Sequence, residues 1–257
     1  VGVHQCADIG GVYMLPQGMF SVAIARVLFP ALARAAARGD TDDFRERVSL
    51  GLRQIAFWLV PASVASAVLA DPIVRLLYQR GEFGAYETRV VAGALAAFSA
   101  GLVFNGTMLM LNRAFYSLQS PWLPTWVALG NLVLNTGLNA GFYRLGIWGL
   151  PLATSIANVA GTIALVVLLR RRLGRLDLGR TLRSGALATV AAGALAAVSY
   201  PVWRVLDDAF GRGVGGQLLS LGTALTVGGA VYLVACRLLR VRELDALLAL
   251  LGRLRRR

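Results

Sequence analysis

The chain has 257 residues, 57% hydrophobic and only 15% charged, with a mean hydropathy of +0.64. A soluble domain is nearer half apolar and a quarter charged, and the long low-charge stretches that recur along this chain place it among polytopic membrane proteins. The formal charge of +13 lies between apolar stretches and not on one soluble face, so membrane topology accounts for it and no nucleic-acid partner is inferred. Cys6 and Cys236 are too isolated for a disulfide framework or a metal site. His4 is the only histidine, which excludes multi-His metal centres and gives His-based acid–base catalysis no footing. With Val1 first and no leader-like segment, the chain reads as the later part of a longer protein.

In chain order, about seven spans are expected, each long enough for the ~30 Å hydrocarbon core at ~1.5 Å per residue. They cover residues 9–35, 49–70, 89–116, 122–143, 147–169, 183–205 and 216–238. The first contains "MLPQGMFSVAIARVLFPALARAA", with Pro16, Pro30 and Arg26 inside an apolar run. Arg26 lies one helical turn before Pro30; it suits either a side chain snorkelling to the interface or a charge facing a cavity. The second span follows a charged lead-in whose Asp40, Thr41 and Asp42 suit a helix start. Next, "DPIVRLLYQRGEFGAYETR" predicts a short interfacial helix, with Pro72 at its first position and Gly81 as its stop.

The fourth span reads "NLVLNTGLN" and puts Asn131, Asn135 and Asn139 on one helix face, at i, i+4 and i+8. The fifth adds Thr154, Ser155 and Asn158, again close to one face. Two such stripes fit interhelical hydrogen bonding, or a hydrated path offering neutral oxygens to a small cation. Pro16, Gly18, Pro61, Gly130, Gly149 and Pro151 suit kinked or broken helices. The sixth and seventh spans are rich in small residues and fit close packing or contact with lipid. In the tail, Leu244, Leu247, Leu248, Leu251 and Leu254 at helical spacing with terminal arginines suit an interfacial helix on anionic lipid, with a solvated coil as the alternative. Asp207, Asp208 and the acids of residues 40–46 are expected to be solvated charges in polar loops. No Walker A, G-x-S-x-G, H-E-x-x-H or CxxC motif occurs, so an enzyme is not expected.

The arginines orient these spans. With loops alternating sides, 19 arginines fall on the side of the first span's C-terminal end and 6 on the other, with Arg26 inside a span. The positive-inside rule makes the richer side, and the C-terminus with it, cytoplasmic.

Four segments occur in order over about residues 12–165: "MLPQGMFSVAIARVLFPALARAAARGD", "ADPIVRLLYQRGEF", "NRAFYSLQSPWLP" and "NLVLN…LGIWGLPLATSIAN". Together they resemble the MurJ/MviN family of lipid II flippases, within the MATE-like exporter superfamily. The resemblance implies an all-α membrane bundle of two six-helix lobes around a central cavity, followed by two extra helices. This chain would supply helices eight to fourteen: second-lobe helices over residues 1–172, the extra pair over 173–240 and a basic tail over 241–257. It further implies alternating access moving the undecaprenyl-pyrophosphate-linked peptidoglycan precursor across the bacterial cytoplasmic membrane, driven by membrane potential or an ion gradient. The implied partners are that precursor, membrane lipids and an N-terminal lobe; no cofactor is implied beyond a coupling cation.

The candidate cavity residues are Arg26, Gln17 and Asn105, and the candidate polar or ion-contacting residues are Asn131, Asn135 and Thr154. The family's position equivalent to Arg26 usually carries a small or hydroxyl residue. A cavity arginine expected five residues before Pro16 falls on Gly11. Two rivals are an exporter of another polyprenyl-linked saccharide or amphipathic small molecule, and a non-transporting scaffold of the same fold.

Overall fold

The structure is a computed structural model that describes residues 3–78, 84–142, 149–174, 177–211, 213–241 and 243–244, with the side chains of 3–17, 85 and 178 outside the description. Among these residues the secondary structure is entirely helical: α1 (Val3–Ala37), α2 (Thr41–Val68), α3 (Ala70–Tyr78), α4 (Ala85–Ser117), α5 (Trp122–Gly141), α6 (Gly149–Leu173), α7 (Leu178–Phe210) and α8 (Val214–Leu238). The expected tail helix and the Gly81 stop lie outside the described residues.

Local chemistry accounts for the breaks. Gly39, at φ +68, turns the chain after α1, a left-handed conformation in which glycine pays no Cβ penalty. Asp40 then caps α2, its carboxylate accepting the Asp43 N–H at 3.0 Å. The lead-in is not a separate segment: α2 runs from Thr41 without interruption through the apolar stretch and through Pro61. Asp42 and Asp43 therefore belong to its first turn and not to a loop. They pair with Arg45 and Arg47, each at 2.8 Å. α6 ends in Arg170, Arg171 and Arg172, the sign that a helix C-terminus favours. α3 begins at Ala70, a little before the Pro72 start that the sequence suggests.

α2 organises the packing. One face buries Leu52, Ile55 and Leu59 in a core shared with α1, α3, α4 and α6. Its other face buries Phe57 and Val60 against Ala188, Ala191, Ala192 and Leu195 of α7 and Tyr232 and Cys236 of α8. The Tyr232 hydroxyl donates to the Phe57 carbonyl at 2.7 Å, closing that contact. α5 stands at the periphery, packed on α6 and barely touching α4.

Six of the helices are long and apolar enough to cross a membrane. α5, the remaining expected span, has 20 residues, about 30 Å at ~1.5 Å per residue, but its three asparagines lower its hydropathy. Leu132, Val133, Val190, Val205, Leu218, Leu219 and Val234 are all more than half exposed. Water would not tolerate so continuous an apolar surface, and lipid requires it. The chain is a polytopic membrane protein.

The grouping of helix ends agrees with the arginine asymmetry. At one end, Arg45 of α2 donates to the Leu173 carbonyl at the end of α6. Ser49 of α2 meets Thr181 of α7 at 3.1 Å, and Arg53 pairs with Glu243, beyond α8, at 3.2 Å. At the other end, Arg75 of α3 pairs with Asp207 of α7 and lies 5.7 Å from the Trp203 ring centroid. Asp207 is thus no solvated loop charge: it sits in the last turns of α7 with its side chain 12% exposed.

Candidate functional site

The asparagines of α5 face α6 and are all half-buried. Their spacing turns sequence into a ladder, because residues four apart on a helix stand one above the other. Asn139 donates through Nδ2 to Asn135 Oδ1 at 2.7 Å. Asn135 donates through its own Nδ2 to the Thr154 hydroxyl of α6 at 3.4 Å, and Thr154 donates onward to the Leu150 carbonyl at 3.0 Å. The structure therefore joins two of the three predicted polar residues, Asn135 and Thr154, directly.

Asn131 sits one turn away, against Gly161 of α6 and Met108 of α4: a Cβ built on Gly161 would lie 3.4 Å from Asn131 Nδ2 and 3.1 Å from Met108 Sδ. Asn131 Oδ1 and Asn139 Oδ1 are buried without a hydrogen-bond partner in the protein. They are two turns apart, ~12 Å along the axis, so no single small ion can touch both. Each is a neutral acceptor suited to a hydroxyl, a water or a hard cation. Among the described residues no group of three or more His, Cys, Asp or Glu side chains could hold a metal ion.

α4 contributes a second polar line. Asn105, half-buried, and Asn112 stand three residues before and four after Met108, on the same face of the helix. Asn112 Oδ1 is also buried without a partner. α4 and α5 both pack on α6 and hardly on each other, and Met108 and Asn131 close over Gly161 of α6 between them. Asn139 belongs to the stripe visible in the sequence, whereas Asn112 is not among the sequence candidates, although its spacing from Asn105 on the same helix face is an available signal.

Arg26 lies apart from these asparagines. α1 packs on α2 and α4, and Arg26 projects from its opposite, exposed face beside Met19 and Val27, which are 68% and 76% exposed. No ion pair or hydrogen bond to Arg26 occurs among the described residues. Gln17 lies on α1, but its side chain is outside the description, as is Gly11.

Polar contacts between α6 and α4 are made to backbone carbonyls. Ser155 and Thr162 of α6 donate to the Ala97 and Phe104 carbonyls of α4, each at 2.9 Å. Close approach follows from glycine: a Cβ on Gly101 would meet Ser155 Oγ at 2.8 Å. The α4–α6 wall is thus tightly fixed, while the amides of α5 keep unused acceptors.

Comparison with known proteins gives this arrangement its context. The family model described as "Lipid II flippase MurJ" matches residues 10–214. A protein of Vibrio cholerae named a probable lipid II flippase MurJ is 30% identical over 237 residues, covering 90% of this chain and 44% of its own length. A Synechocystis protein of the same name is 30% identical over 244 residues, covering 92% of this chain and 45% of its own length. The chain thus spans about half the length of the curated relatives it matches. A solved structure, "Lipid II flippase MurJ, inward closed conformation", superposes with a TM-score of 0.71 at 22% identity over 92% of this chain and 47% of that one, which supports the fold. With four-fifths of its length under one family model and the helical architecture in agreement, the chain belongs to the MurJ lipid II flippase family.

Proposed function

We propose that this chain forms the C-terminal part of a lipid II flippase, which moves the undecaprenyl-pyrophosphate-linked peptidoglycan precursor across the bacterial cytoplasmic membrane by alternating access. It does so with a first lobe equivalent to the half of its relatives that it does not cover, and without catalytic chemistry of its own. The observation that carries this reading is the family match over residues 10–214, joined to buried asparagine oxygens on α4 and α5 that have no partner in the protein. Buried amide oxygens without partners call for an explanation, and polar groups inside membrane spans are found along substrate or ion paths.

In this reading α1, α2, α4 and α6, locked by one core, move as a rigid body against the first lobe. Residues 1–172 form the transport half, 173–240 the additional pair and 241–257 a cytoplasmic tail. The exposed face of α1 turns toward the first lobe, where Arg26 and Gln17 are the candidate contacts for substrate, with Asn105 the candidate on α4. Arg26 has no internal counter-charge among the described residues, so its guanidinium stays available to a phosphoryl oxygen. Asn131, Asn135 and Thr154 are the candidate contacts for a weakly held coupling cation. The end that gathers Arg45, Arg53 and Arg180 is cytoplasmic, on the 19-to-6 arginine split.

The test is complementation of a flippase-depleted bacterium by this chain expressed with a first lobe. Restored growth is expected; persistent lysis despite normal membrane insertion would reject lipid II transport.

A further inference from the structure

The cytoplasm-assigned end carries a feature that the transport reading does not use. A cleft of about 500 Å³ opens between α2, α7 and the end of α8, lined by Arg53, Arg180, Arg183, Arg240, Ser184 and Glu243, with Leu187, Leu239 and Val241 as its apolar wall. Four arginines and one glutamate thus line it. Glu243, its side chain 7% exposed, is engaged by Arg53 at 3.2 Å, and Arg180 is engaged from outside the lining by Asp177 at 3.0 Å. Arg183 and Arg240 have no ion pair among the described residues. The cleft also receives the first turns of α7, whose N-terminal dipole favours an anion.

Arg240 holds an unusual place in this lining. It has φ 52, a left-handed conformation that favours glycine and that a long side chain adopts at a cost. Gly would end α8 at this position with less strain, yet an arginine stands here and lines the cleft.

We propose that this cleft binds the phosphodiester headgroup of an anionic phospholipid, clamping the α7–α8 hairpin to α2 from the membrane surface. A phosphodiester fits the unpaired guanidinium groups, which donate paired hydrogen bonds to phosphoryl oxygens. The source is lipid and not a soluble phosphate because the arginines adjoin exposed apolar residues at the same helix ends. Leu182, next to Arg183, is 72% exposed, and Leu238, two residues before Arg240, is 79% exposed; acyl chains descending from a bound headgroup would cover them. The proposal is independent of lipid II transport and holds whether or not the chain moves that substrate.

The chain, purified in uncharged detergent, is titrated with short-chain phosphatidylglycerol or phosphatidylcholine of equal chain length, and bound lipid is counted by native mass spectrometry. Phosphatidylglycerol should bind on the order of tenfold more tightly or better, and excess inorganic phosphate should not displace it. Arg183→Gln with Arg240→Gly should erase the preference. Arg240→Gly suits the backbone at that position, so its melting temperature should not fall, and Arg183→Gln alone provides a second reading at an exposed site. Arg204→Gln, at the opposite end of α7, should keep the preference. Equal binding of the two lipids overturns the proposal, as does loss of the preference in Arg204→Gln, which would mean a general charge effect. Displacement by inorganic phosphate as effective as by free phosphatidylglycerol also overturns it, making the cleft a site for soluble anions.

Discussion

Two consecutive helix pairs, α5–α6 and α7–α8, flank the central bundle: the first docks chiefly through α6 on α4, the second through α7 on α2, with α8 adding contacts to α2 and α3. They differ in what they put between their own helices. In α7–α8 the contact is made by small residues, with Gly228 so close to Ser199 and Leu195 that an added Cβ would collide with the serine hydroxyl. In α5–α6 it is made by amides, which form a ladder and leave two oxygens over. Membrane helices gain little from hydrophobic exclusion, so they associate by close packing or by hydrogen bonds. α7–α8 uses the first means. It too leaves two polar atoms without a partner, the Ser199 hydroxyl and the Trp203 indole N–H. α5–α6 uses the second and keeps acceptor capacity that packing does not consume. The difference separates a pair joined by close packing, whose leftover groups are a hydroxyl and an indole N–H, from a pair joined by amides, whose leftover groups are carbonyl acceptors.

The strongest way to break the comparison is to detach α7–α8 from the bundle. Asp207→Ala would leave Arg75 buried at 16% side-chain exposure without its partner, and should cost about 3 kcal/mol. Thermal unfolding of the purified chain would show it, and Arg75→Met with Asp207→Leu should recover most of the loss because neither charge is then stranded. Gly228→Leu attacks the packing inside the pair and should cost about 2 kcal/mol by forcing α7 and α8 apart. Removing the Tyr232 hydroxyl with Tyr232→Phe orphans the Phe57 carbonyl and should cost about 1 kcal/mol. If Gly228→Leu melted like the unmodified chain, close packing would not be what holds α7–α8 together.

Much of this was legible in the sequence, and the rest was not for identifiable reasons. The helices, the Asp40 cap, the single-faced asparagine stripe and the grouping of arginines by end all follow from local spacing. The Arg75–Asp207 and Arg53–Glu243 pairs do not, because they join residues far apart in the chain and helical periodicity cannot tell which faces will meet. Asp207 therefore read as a solvated loop charge, although the fold buries it. The same limit hid the arginine cleft: Arg53 comes from α2, Arg183 from α7 and Arg240 from just beyond α8. Of the candidate site, Asn135 and Thr154 were found because both stripes were visible along single helices. Asn105 and Arg26 were named without any means of seeing that α4 carries its line toward α6 while Arg26 points away.

The last and smallest expected effect on stability tests the other pair. Asn131→Leu with Asn135→Leu removes the ladder and one of its two unpaired oxygens while supplying apolar volume to a membrane interface. Interhelical hydrogen bonds there are worth roughly 0.6 kcal/mol on average, and the loss of Asn131 Oδ1 relieves a buried group that has no partner. Melting should therefore shift by less than for Tyr232→Phe, and membrane insertion should be unchanged. Transport, measured by complementation in the presence of the first lobe, should nevertheless be lost if those oxygens serve an ion or a hydrated path. Normal complementation in the double variant would make the asparagines packing devices like the glycines of α7–α8, and the two pairs would then differ only in the chemistry of their adhesion.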